Sequence, residues 1–169
     1  MIEKIQEIAQ PMLQEPIVLF SFFAILTYIG VRDYQTKEIK NKANLFFLSL
    51  GILFMCMGLF NNLLDMTLPS LGFSLANIWG MLIGFFALFI PAFVKNQPMG
   101  GDIKASLIIG FWLGYEATIF VMLMAVLFNL LYWCGAFYIW KDFGRNTLMP
   151  MAPFLALGAI CFYGFSIFL

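Results

Sequence analysis

Two aspartates carry the chemistry open to this chain. Asp102 follows Gly100-Gly101 and opens an apolar run at Ile103, and Asp33 stands at the end of another apolar run. A carboxylate at the edge of an apolar segment is costly to desolvate, so it calls for a reason. Two carboxylates brought close cannot both ionise cheaply and come to share a proton. One then serves as base towards a water while the other donates to a scissile carbonyl. This aspartic-protease chemistry needs no metal and no cofactor, and it does without histidine, of which the chain has none. A plainer reading stands beside it. Asp102 behind two glycines also fits a helix N-cap, and Asp33 also fits one more charge in a solvated loop with Glu38 and four basic residues. Glycine at 100 and 101 permits the close backbone approach that a substrate strand would need, as it permits a simple turn.

The elements that must position these residues are apolar. Of 169 residues, 63% are hydrophobic and 11% charged, more apolar surface than a soluble domain of this size can hide. The expected fold is all-α, a polytopic membrane protein, with residues 1–169 forming one membrane domain. Formal net charge is zero, so no nucleic-acid partner is expected. Cys56, Cys134 and Cys161 lie inside apolar runs without paired spacing and read as small buried hydrophobes. Residues 1–15 lack a basic n-region and do not read as a cleaved signal peptide; Ile2, Ile5 and Ile8 fit one face of an interfacial helix.

Six apolar segments are expected to cross the bilayer: 16–31, 43–64, 75–94, 103–113, 117–140 and 148–169. The fourth is short, reaching only about 17 Å before Gly114-Tyr115-Glu116, which would let water closer to Asp102. Eight of the nine basic residues fall in the first, third and fifth loops or at their edges. The positive-inside rule makes that side cytoplasmic and puts both termini outside. Asp33 opens the first loop and Asp102 closes the third, so both lie at the cytoplasmic boundary. Asp65 and Glu116 fall on the other side, and Asp142, between Lys141 and Arg145, reads as a solvated loop charge. Trp79, Trp112, Trp133 and Trp140 read as lipid-facing or packing residues.

Three stretches resemble the motifs of the type IV prepilin peptidases, in family order. Asp33-Tyr-Gln-Thr36-Lys-Glu-Ile39-Lys40-Asn41 resembles the first-aspartate motif, in which Ile-Pro-Asn follows six residues on. Met99-Gly100-Gly101-Asp102-Ile103-Lys104 resembles the second, GxGD followed by a hydrophobe and lysine. Pro150-Met151-Ala152-Pro153-Phe154-Leu155-Ala156-Leu157-Gly158 resembles the C-terminal signature. Met99 in place of the first glycine and Lys40 in place of the proline are departures.

The resemblance implies an aspartic endopeptidase that removes the short basic leader from a type IV prepilin or pseudopilin precursor. Asp33 and Asp102 would be the catalytic pair in a bacterial inner membrane. Gly100, Gly101, Lys104, Thr36, Ile39 and Asn41 would support the active-site loops. Thr36 and Asn41 would do so through side-chain-to-backbone hydrogen bonds, and Pro150 and Pro153 would shape entry into the last helix. Pilins of this kind carry a glutamate just past the cut, which Lys104 is placed to engage; the plain alternative is a snorkelling boundary lysine. No Cys-x-x-Cys is present, so the chain resembles the short form without the methyltransferase-associated cysteine domain. The main rival is a catalytically inactive scaffold or assembly subunit of a pilus or secretion system. A small transporter fits less well with boundary acids, and presenilin-like proteases carry a Pro-Ala-Leu motif that this chain lacks.

Overall fold

The computed structural model describes residues 2–64, 67–72, 74–95, 100–139 and 150–168. They form six helices: α1 (Ile2–Leu13), α2 (Pro16–Thr36), α3 (Asn41–Leu64), α4 (Leu75–Lys95), α5 (Gly100–Ile139) and α6 (Ala152–Phe168). The fold is all-α, and α2 to α5 are long and apolar enough to cross a membrane. The apolar α6 is shorter, at 17 residues. Met99, Asp65, Trp140 and the Lys141–Asp142–Arg145 loop lie outside the described residues.

α5 contains the fourth and fifth segments expected from sequence. Gly114 inside it is non-helical, at φ 76° and ψ 174°. Ser106 Oγ and Met122 Sδ, eight residues to either side of it, lie 3.8 Å apart. In a straight helix, residues so spaced would be about 24 Å apart, so the two arms fold back on each other. A positive φ of this kind suits glycine, which lacks the Cβ that would clash. Thr118 Oγ1 donates to Gly114 O at 2.5 Å and secures the turn. The first arm, 100–113, is about 21 Å long.

Small residues fix this arm against α4. A Cβ on Gly80 would run into Gly110 O, one on Gly110 into Gly80 O, and one on Gly84 into Ser106 O. The helices therefore meet backbone to backbone, the small-xxx-small packing of membrane helices. Ser106 Oγ donates to Gly84 O, and Asn77 Nδ2 donates to Phe111 O at 2.8 Å. On the other side Trp112, 1% exposed, packs against Phe22, Phe47 and Phe54 and donates to Phe47 O at 3.2 Å. α6 runs antiparallel to α2, with Ala152 beside Asp33 and Tyr163 against Phe23. It also runs antiparallel to the second arm of α5, where Gly158 faces Val121.

Several expectations need correction. Asp33 is not a loop residue: α2 continues to Thr36, because no helix breaker precedes Lys37, the left-handed C-cap at φ 52°. Asp102 is in the first turn of α5 and does not precede it. The cysteines are not buried; Cys56 is exposed and the other two are half-buried. An apolar helix surface that meets lipid does not need to be covered by protein. Trp79 and Trp133 are likewise exposed. At the far end of the short arm a cavity of about 210 Å³ reaches Trp112, Gly114 and Glu116. α1 closes that end, with Ala9 and Met12 buried and Tyr163 OH donating to Met12 Sδ at 2.7 Å.

Candidate active site

The last turn of α2, the first turn of α5 and the first turn of α6 converge at one end of the bundle, opposite α1. Asp33 is 3% exposed, and its Oδ2 accepts the Ala152 N–H at 3.0 Å. The reason lies in how α6 starts. The first N–H groups of a helix have no partner within it. Pro153 has none to offer, and the N–H groups of Phe154 and Leu155 both reach Met151 O, at 3.1 Å. That leaves the Ala152 N–H, which Asp33 satisfies at the positive end of the helix dipole. The backbone of Met151 also bonds to Asp33. A Cβ on Gly30 would come within 3.3 Å of Pro153 Cα, so glycine one turn before Asp33 lets the two helices approach.

Asp102 is half-buried. Its Oδ1 is buried with no hydrogen-bond partner among the described residues, and its carboxyl interacts electrostatically with that of Asp33. The two carboxyls are thus near enough to interact, with unequal support: Asp33 is held by backbone donors, while Asp102 Oδ1 has no such donor among the described residues.

The connection after α2 packs onto Gly101, the residue before Asp102. Lys37 N–H donates to Asp33 O at 2.8 Å, which turns the chain back. Thr36 Oγ1 lies 2.8 Å from Arg32 O and 3.1 Å from Glu38 O and braces the same turn. Ile39 then covers Gly101, where a Cβ would come to 3.0 Å from the Ile39 Cβ and 3.3 Å from its carbonyl oxygen. Lys104 Nζ donates to Asn41 Oδ1 at 2.8 Å. Of the loop residues expected from sequence, Ile39 meets Gly101 and Asn41 meets Lys104, while Thr36 bonds within its own turn. Gly100 makes no such contact among the described residues: it is exposed, and a Cβ there would have no neighbour within 4 Å.

Two contributors were missed. The backbone of Met151 and Ala152 holds Asp33, although the flanking prolines had suggested only a helix entry. Asn44, 3% exposed, donates from Nδ2 to Gly101 O at 3.1 Å. An amide in the first turn of α3, just ahead of its apolar run, was the available signal for Asn44; nothing in the sequence marks a backbone donor.

Residues 20–134 match the model of a family described as the type IV leader peptidase family. Among curated proteins, the chain is similar to a prepilin leader peptidase/N-methyltransferase of Pectobacterium carotovorum subsp. carotovorum. The two are 28% identical over 153 residues, 85% of this chain and 48% of that protein. A prepilin leader peptidase/N-methyltransferase of Bacillus subtilis (strain 168) is 29% identical over 143 residues, 84% of this chain and 53% of that protein. The chain spans about half the length of the curated relatives it matches. No solved structure matches it.

Proposed function

Since the chain belongs to the type IV leader peptidase family, we propose that it cleaves the leader from prepilin-like precursors, with Asp33 and Asp102 as the catalytic pair. The observation that supports this reading is that Asp33 and Asp102, carried by different helices and both drawn from motif segments, lie at the same end of the bundle, near enough for their carboxyls to interact electrostatically. One carboxylate takes a proton from a water as its oxygen adds to the scissile carbonyl carbon. The other gives its proton to the carbonyl oxygen. Collapse of the tetrahedral diol breaks the C–N bond, and a proton passes to the leaving amine. No cofactor enters these steps.

The loop charges favour the cytoplasmic face for this end of the bundle, where a short basic leader would hang. The precursor's apolar helix would lie in the bilayer, with the bond to be cut just before it, at the depth of the two aspartates.

The test is co-expression with a prepilin and measurement of leader removal by mass, for the native chain and for Asp33→Ala and Asp102→Ala separately. Each variant should insert normally and lose at least about a hundredfold in cleavage. Full activity in either variant removes the pair. An inactive native chain leaves the scaffold reading standing.

A further inference from the structure

The first arm of α5 is sealed against α4, while its hydrogen bonds to α3 among the described residues are few: Lys104 to Asn41 near the start of the arm, and pins at two levels. At the deeper one, Trp112 donates to Phe47 O and its indole lies against Gly51. At the shallower one, Asn44 holds Gly101 O. Between them lies a groove of about 370 Å³, with Leu48, Leu107 and Ile108 among its walls. Lys42, Asn44 and Lys104 line the end nearer Asp102. The groove opens between two helices long and apolar enough to cross a membrane, so its occupant arrives within the bilayer and presents apolar side chains.

Asn44 points to what that occupant brings. Its Nδ2 is committed to Gly101 O, which fixes the amide plane. Its Oδ1 is buried and has no hydrogen-bond partner among the described residues. A buried acceptor in that condition is destabilising until a donor reaches it. The N-terminal end of a helix supplies such donors, since its first N–H groups are unpaired. Lys42 and Lys104 at the same end favour an occupant with a carboxylate in its first turns.

We propose that the α3–α5 groove seats the first turns of the precursor's apolar helix, just past the bond to be cut, and that Asn44 is a positioning residue whose Oδ1 accepts a backbone N–H there. The inference rests on the leader-peptidase reading and adds a docking direction and a contact that this reading leaves open.

Two measurements test it. In the Asp102→Ala chain, a photo-crosslinking p-benzoylphenylalanine at Leu48 or Leu107 should capture the precursor, and the same group at lipid-exposed Leu123 should not. Capture from Leu123 as strong as from the groove, or none from the groove, overturns the docking site. Synthetic precursors carrying one N-methylated amide each, scanned past the cut, then report the contact. One position should slow the native chain roughly five- to tenfold and leave Asn44→Ala indifferent. An equal penalty in both overturns the role of Asn44. If Asn44→Ala fails to accumulate, Asn44→Asp, which keeps an acceptor, should keep the discrimination; its loss overturns the role too. Unmodified precursor is run alongside with the native chain. No cleavage there ends the peptidase reading and this inference with it, whereas cleavage without groove capture ends the inference alone.

Discussion

The two faces of the first α5 arm are built on opposite principles. Towards α4, Gly110 and Ser106 meet Gly80 and Gly84 with no room for a single added carbon. Towards α3, the hydrogen bonds among the described residues are three, made by Asn44, Lys104 and Trp112, with a groove of about 370 Å³ beside them. Both faces are apolar, so burial alone does not separate them; side-chain size does. Small residues let backbones touch, which gains dispersion contacts and removes freedom, while leucines that do not reach across leave a gap. Under the proposed function both are needed: one wall that would hold Asp102 still and one that would admit a substrate helix from the bilayer.

The largest effect should come from closing the sealed face. Valine at Gly110 would drive two methyl groups into the Gly80 carbonyl, and backbone cannot swing aside as a side chain can. A cost of at least about 3 kcal/mol is expected, because the arm must move away from α4 as a unit. Leu107→Ala on the open face should cost only about 1 kcal/mol, since a half-buried leucine beside a groove leaves little new cavity. Thermal unfolding in detergent compares the two directly. Equal losses would mean that the faces do not differ in the way described.

The break in α5 and the motif segments were readable in the chain, the contrast between its two faces was not, and the unread part has a common cause. Gly114 broke an apolar run at a place where a helix had to turn, and the turn is there. The motif segments around Asp33, Asp102 and Pro153 were legible because their residue types are unusual in membrane helices. Asp33 was misplaced into a loop because a charge after an apolar run looks like a boundary; in the fold its charge is met by the start of α6. Such a partner is a backbone group on a helix distant in sequence, and residue type does not encode it. Asn44 was passed over likewise, its partner carbonyl lying 57 residues away. Elements and motifs were therefore local signals, whereas the support of the site is long-range and largely main-chain.

A smaller effect should follow from adding one carbon at the shallower pin. Gly101→Ala places a methyl 3.0 Å from the Ile39 Cβ, too tight to fit unless the α2–α3 connection yields. That connection is held by the Lys37 cap and by Thr36, so part of the shift should pass to Asp102, the next residue. Cleavage should fall about tenfold with little change in unfolding temperature, because reacting groups tolerate only small displacements. Ile39→Ala in the same chain should restore most of the loss. Failure of that rescue would place the defect in the glycine's backbone freedom and not in its contact with Ile39.

The smallest effect separates charge from packing at the groove's polar end. Lys104 is exposed and donates to Asn41 Oδ1, so its ammonium is held at the groove's mouth by a contact that water competes for. Replacing it with methionine keeps most of the apolar stem and removes the charge, and alanine removes both. If the ammonium meets a carboxylate in the first turns of the substrate, both variants should slow cleavage of a glutamate-bearing precursor about three- to tenfold and spare its alanine counterpart. If Lys104 only covers apolar surface, alanine should slow both precursors equally and methionine neither. Initial rates on the two precursors decide between these outcomes. They also decide whether the open face of α5 selects its substrate by charge as well as by shape.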